Sequence, residues 1–79
     1  MNPKVFAERL HMELDEIDIP IRLEERIEAF AKLMDIPRFK AESLLNGATM
    51  PDSELLTSLA EELEVSEAWL LGESGSKSG

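Results

Sequence analysis

The chain has 79 residues and no cysteine, which limits it to one small domain without disulfide bonds or thiolate metal ligands. No apolar run reaches the ~18 residues of a membrane span, the N-terminus has no signal-peptide core, and one histidine with no tyrosine leaves little material for an enzyme. The net charge of −9 argues against general attraction to nucleic acid or anionic membranes. Together these features predict a cytoplasmic, non-enzymatic domain without cofactor, metal or membrane contact.

The first predicted helix begins at Pro3, because proline suits the first turn of a helix. His11 falls on the polar side of this helix, and with no second histidine and no cysteine it offers no metal site. The helix ends before Pro20, since proline disfavours helical backbone in the residue before it. Its apolar face repeats at intervals of three or four residues: Phe6, Leu10, Leu14 and Ile17.

Two shorter helices are predicted next, separated by a tight turn. Asp35 marks this turn, because aspartate tolerates left-handed backbone better than most residues. Pro37 opens the third helix, which runs to Leu45 and stops at Asn46-Gly47. The apolar stripe of the second helix is Ile27, Phe30, Ala31 and Met34, and that of the third is Ala41, Leu44 and Leu45.

The fourth helix is predicted to start at Asp52 or Ser53 and to carry a leucine stripe. Ser66 caps a short fifth helix from Glu67 to Leu71, and Gly72 ends it. Residues 1–72 thus form the domain, and residues 73–79 form a polar tail that we expect to be mobile. No strand-like alternation and no repeat interrupts this pattern, so the sequence predicts an all-α fold of five helices.

Several short motifs follow one another in a specific order from the second predicted helix to the fifth. An apolar-Ala pair precedes a turn, a helix closes in Asn-Gly, and a leucine helix closes in Val-Ser followed by Trp-Leu-Leu. These elements are Phe30-Ala31, Met34-Asp35-Ile36, residues 37–45, Asn46-Gly47, Pro51, residues 55–63, Val65-Ser66 and Trp69-Leu70-Leu71. Their ordered spacing, over about residues 5–72, resembles the lambda repressor-like (Cro/C1, XRE-type) helix-turn-helix family.

The resemblance implies a compact five-helix domain that acts as a repressor-like transcriptional regulator of bacterial or phage type. Such proteins bind double-stranded DNA, commonly as dimers, with the third helix in the major groove and its first residues on base edges. The residues that the resemblance assigns to the groove are Arg38, Phe39, Lys40 and Ser43, and those it assigns to phosphates are Arg22 and Arg26.

The side chains of the predicted recognition helix suit this role to different degrees. Arg38 has the geometry for a bidentate contact with guanine, Lys40 suits a phosphate, and Ser43 suits either base or backbone. Phe39 offers no hydrogen bond and at best touches a thymine methyl group. We therefore expect Phe39 to pack locally or to contact a protein rather than a base.

Charge is distributed unevenly along the chain. Residues 22–40 carry five basic and four acidic side chains, whereas residues 1–21 carry two basic against five acidic ones. Residues 41–79 carry one basic and eight acidic side chains. The predicted DNA-contacting residues therefore lie in the one segment that is not acidic. With about four basic contacts per subunit, binding by a monomer is expected to be weak, salt-sensitive and dependent on dimerisation.

A second hypothesis assigns the same fold to protein binding. In this interpretation the chain is a helix-turn-helix-derived interaction module, such as an antitoxin, an antirepressor or a modulator of a larger regulator, with little DNA binding. The acidic C-terminal half would then meet a basic protein partner, and Phe39 would belong to the contact surface. Neighbouring carboxylates such as Glu61 and Glu62 point to different sides of a helix, so they do not suggest catalysis.

Overall fold

The computed structural model describes residues 2–73 and 75. These residues form five helices and no strand, which confirms the all-α prediction: α1 (Pro3–Glu16), α2 (Leu23–Met34), α3 (Arg38–Leu45), α4 (Ser53–Leu63) and α5 (Glu67–Leu70). Most of the tail predicted to be mobile lies outside the described residues. In the part of the chain that is described, no helix has the length and apolar character needed to cross a bilayer.

Polar side chains set the starts of three helices. Asn2, Asp52 and Ser66 each accept a backbone N–H from the first turn of α1, α4 and α5, respectively. Each bond satisfies a donor that has no partner within its helix. Pro37 is the N-cap of α3, with ψ of 150°, so the helix begins one residue later than predicted.

Left-handed residues end two of the helices. Asp35, with φ of 55°, closes α2 as predicted, and its N–H bonds back to carbonyls of the last turn. Glu64, with φ of 58°, closes α4 in the same way. Leu71 caps α5 instead of belonging to it, so this helix is one residue shorter than expected.

One hydrophobic core joins all five helices. Trp69 is buried and belongs to this core. Ile17, predicted on the apolar face of α1, is 45% exposed because α1 ends at Glu16 and Ile17 turns away as the C-cap. The largest fully buried side chains are Phe6, Phe30, Leu10, Leu14, Ile27, Leu44, Leu59 and Leu70.

Helix α1 contacts both α3 and α5. At the α5 end, Nη1 of Arg9 donates to the Trp69 carbonyl at 2.8 Å, and the guanidinium carbon lies 4.8 Å from the centre of the Trp69 ring. A cation over an indole face is favourable in addition to the hydrogen bond. Helix α1 therefore connects the C-terminal end of the domain to the helix that carries the candidate site.

Candidate nucleic-acid interface

Helix α3 has one packed side and one open side. It follows α2 after the three residues 35–37 and packs against α2 and α1. Its packed side consists of Ala41, Leu44 and Leu45, which are all buried as predicted. The opposite side carries the exposed Glu42 and four candidate contact residues, Arg38, Phe39, Lys40 and Ser43, and we call these four the α3 outer face.

The four residues of the α3 outer face differ in exposure. Phe39 is 71% exposed, so of its two expected environments the local packing is wrong, while the protein contact stays a prediction. Arg38 and Lys40 expose 45% and 43% of their side chains, whereas Ser43 is partly buried. Packing thus leaves the aromatic ring of Phe39 and the two cations accessible, since the fully buried residues of α3 lie on its other side.

Two carboxylates of α2 hold the guanidinium of Arg38. Nη2 of Arg38 donates to Oε2 of Glu24 at 2.8 Å, and Nη1 lies 3.5 Å from Oε1 of Glu28. Glu24 and Glu28 are one helical turn apart, so both reach Arg38 from the same side of α2. The residue best suited to reading guanine therefore already has two anionic partners.

The other exposed cations assigned to DNA also have acidic neighbours. Nη1 of Arg22 lies 3.8 Å from Oε2 of Glu25, and Nζ of Lys40 lies 3.9 Å from Oδ2 of Asp52. Pairs this exposed contribute ~0–1 kcal/mol each and exchange readily for another anion. They lower the positive potential of the site without locking the cations in place.

Arg26 is not available to a phosphate. It is 3% exposed, and its guanidinium donates to two loop carbonyls, Ile19 at 3.2 Å and Pro20 at 2.7 Å, and to the carboxylate of Asp15. It also donates to Nδ1 and the carbonyl oxygen of His11, at 2.9 and 3.3 Å. The predicted phosphate contact by Arg26 is therefore wrong, because its donors are used inside the domain, where a buried guanidinium needs them satisfied.

His11 extends the same network to α3. Its Nε2 lies 2.9 Å from the carbonyl oxygen of Leu45, at the end of α3, while its Nδ1 faces Arg26. A guanidinium only donates and a carbonyl only accepts, so the neutral Nε2–H tautomer satisfies both contacts. His11, placed on the polar side of α1 by the sequence, is partly buried and links α1, α2 and α3.

Sequence reasoning missed this network, although one signal was present. His11 and Asp15 are four residues apart and therefore share a face of α1. Nothing in the sequence indicates that Arg26 would be brought to that face, because this depends on how α2 packs against α1. Among the described residues, no group of three histidine, aspartate or glutamate side chains is arranged to hold a metal ion.

Comparison of the chain with protein-family models, with curated proteins and with solved structures finds no match. The lambda repressor-like resemblance therefore depends on the order of the sequence motifs.

Proposed function

We propose that the chain is a sequence-specific DNA-binding transcriptional regulator of the lambda repressor-like type, in which α2 and α3 act as a helix-turn-helix. The observation that carries the proposal is the two-sidedness of α3: its apolar residues are buried and its candidate base-contacting residues lie on the open side. A helix exposed along one side fits the major groove of B-DNA, which is about 12 Å wide. The order of sequence motifs supports the same assignment.

Each residue of the proposed interface has a distinct role. Arg38 reads guanine, Lys40 and Arg22 contact phosphates, and Ser43 contacts base or backbone. Phe39 supplies apolar contact, for example with a thymine methyl group. Without Arg26, few phosphate contacts remain for each subunit, so useful affinity requires two copies on adjacent half-sites.

Fluorescence anisotropy with labelled duplexes tests this proposal. A tight-binding duplex is first selected from the gene neighbourhood of the protein at about 50 mM salt, and a scrambled duplex serves as reference. Arg38→Ala should weaken binding to the selected duplex by about 10–100-fold and reduce discrimination against the scrambled one. Lys32→Ala, which removes the same charge from an exposed side chain outside the α3 outer face, should leave discrimination unchanged.

The proposal fails if the wild-type chain binds no duplex at low salt. It also fails if Arg38→Ala and Lys32→Ala weaken binding to the selected and scrambled duplexes equally, because Arg38 would then act only through its charge.

A protein-interaction module is the second candidate, and the exposure of Phe39 beside acidic side chains favours it. Glu24, Glu28 and Asp52 surround the cations of the α3 outer face, and Ile21 is 85% exposed near the start of α2. A basic protein partner with an apolar contact would suit this surface. Binding of such a partner that is lost with Phe39→Ala, in a chain that binds no DNA, would support this function over the first.

A further inference from the structure

We infer that Glu24 and Glu28 determine specificity by making Arg38 a reader of bases instead of a general phosphate contact. This inference rests on the proposed function. It starts from the position of both carboxylates on the guanidinium, with Glu24 at Nη2 and Glu28 at Nη1. Both terminal nitrogens of the guanidinium are therefore engaged from the α2 side.

The guanidinium of Arg38 has enough N–H donors to bind a base while it keeps its contacts with both carboxylates. A guanidinium has five N–H donors, of which each terminal nitrogen carries two. One contact at each terminal nitrogen of Arg38 leaves a second hydrogen on each. Guanine presents two neutral acceptors, O6 and N7, in the major groove. Arg38 can therefore bind guanine while Glu24 and Glu28 remain its partners.

A phosphate meets a different environment at the same place. Arg38 with Glu24 and Glu28 carries one positive and two negative charges, so this cluster has a net charge of −1. A phosphate oxygen at hydrogen-bonding distance from Arg38 also approaches two carboxylates, and like charges so close repel each other. The cluster thus disfavours an anionic backbone and tolerates a neutral base edge.

Both carboxylates lie on one helix, so the packing of α2 against α3 brings them to Arg38 together. Glu24 and Glu28 lie on successive turns of α2, and α2 packs directly against α3. Both carboxylates thus approach the guanidinium from the same neighbouring helix. Glu25, by contrast, is paired with Arg22, the N-cap of α2.

The test compares Glu24→Gln/Glu28→Gln with Glu61→Gln/Glu62→Gln in the full chain. Both double variants remove two negative charges from exposed helix positions, on α2 and on α4 respectively. Affinity is measured by anisotropy on the selected duplex and on the scrambled duplex. Thermal unfolding, monitored by circular dichroism, verifies that each variant is folded.

The α2 variant should bind the scrambled duplex about 10-fold more tightly, with a change of less than about threefold on the selected duplex. The α4 variant should shift both duplexes by the same small factor. The inference is overturned if the two variants behave alike, or if the α2 variant weakens selected binding without strengthening scrambled binding. Absence of wild-type binding to any duplex would instead refute the proposed function.

Discussion

Arg26 and Arg38 carry the same guanidinium on neighbouring helices, but their surroundings give them opposite roles. Arg26 is 3% exposed and directs its N–H donors to carbonyls, a carboxylate and His11. Arg38 is 45% exposed and has only carboxylate partners at the surface. Because an exposed pair exchanges readily and a buried network does not, Arg26 stabilises the fold and Arg38 remains open to a ligand.

The role of Arg26 predicts a large loss of stability on substitution. Arg26→Met keeps much of the side-chain volume but leaves the carbonyls of Ile19 and Pro20 without their donor. The expected decrease in the free energy of unfolding is on the order of 2–4 kcal/mol, measured by urea denaturation. Arg22→Met, at an exposed position, should change it by less than about 0.5 kcal/mol. A loss below about 1 kcal/mol for Arg26→Met would contradict this role.

At the scale of elements, α1 is the support on which the candidate site is built. It contacts α3 directly and reaches its C-terminal carbonyl through His11. It also holds α5 through Arg9, and its Val5 side chain lies close to Gly72. Helix α1 thus contacts both α3 and the C-terminal end of the domain.

The closeness of α1 to Gly72 gives a second prediction. Gly72 and Gly47 both have left-handed backbone, with φ of 81° and 78°, so alanine at either position costs about 1 kcal/mol from the backbone alone. A Cβ at Gly72 would lie 2.6 Å from Cγ1 of Val5, whereas one at Gly47 would lie 3.4 Å from its nearest neighbour. Gly72→Ala should therefore destabilise the domain more than Gly47→Ala does.

A double-mutant cycle separates the clash from the backbone cost. In a chain that already carries Val5→Ala, the penalty of Gly72→Ala should fall by about 1 kcal/mol, as measured by thermal or urea unfolding. The penalty of Gly47→Ala should be unchanged in that background. Equal penalties for Gly72→Ala in both backgrounds would show that α1 and the end of α5 are not in the contact described.

The helices could be predicted from sequence because their limits are marked locally. Pro3, Pro37 and Asn46-Gly47 act on neighbouring backbone, and the apolar spacing identifies which side of each helix is buried. These signals locate the ends of most helices within one or two residues. They do not reveal how two helices cross. The resemblance placed Arg26 at a phosphate, whereas its burial depends on contacts with His11 and Asp15 of α1 that sequence spacing does not show.

The α3 outer face was predictable for the same reason, and its acidic partners were not. Ala41 and Leu44 identify the buried side of α3 and thereby the open side. That Glu24 and Glu28 would reach Arg38 depends on the packing of α2 against α3, which the sequence does not specify. Phe39 was expected to pack locally or to contact a protein, and its 71% exposure contradicts only the local packing.

The whole molecule has a net charge of −9, and acidic side chains also lie beside the cations of the candidate site. Its three exposed cations, Arg22, Arg38 and Lys40, each lie within 4.0 Å of a carboxylate. This arrangement keeps attraction to arbitrary DNA low, because each cation must exchange a partner before it gains a phosphate. Under the proposed function, affinity then depends on base contacts and on a second subunit.

The most direct test of the account is the salt dependence of binding to the selected duplex. The two cations assigned to phosphates, Arg22 and Lys40, predict that log K falls against log salt concentration with a slope of roughly −2 per bound subunit, and Arg22→Ala should make that slope shallower by about one. Arg26→Lys, at a buried position, should leave the slope unchanged as long as the variant is folded. No binding near 50 mM salt, or a slope unaffected by Arg22→Ala, would contradict DNA binding through this face.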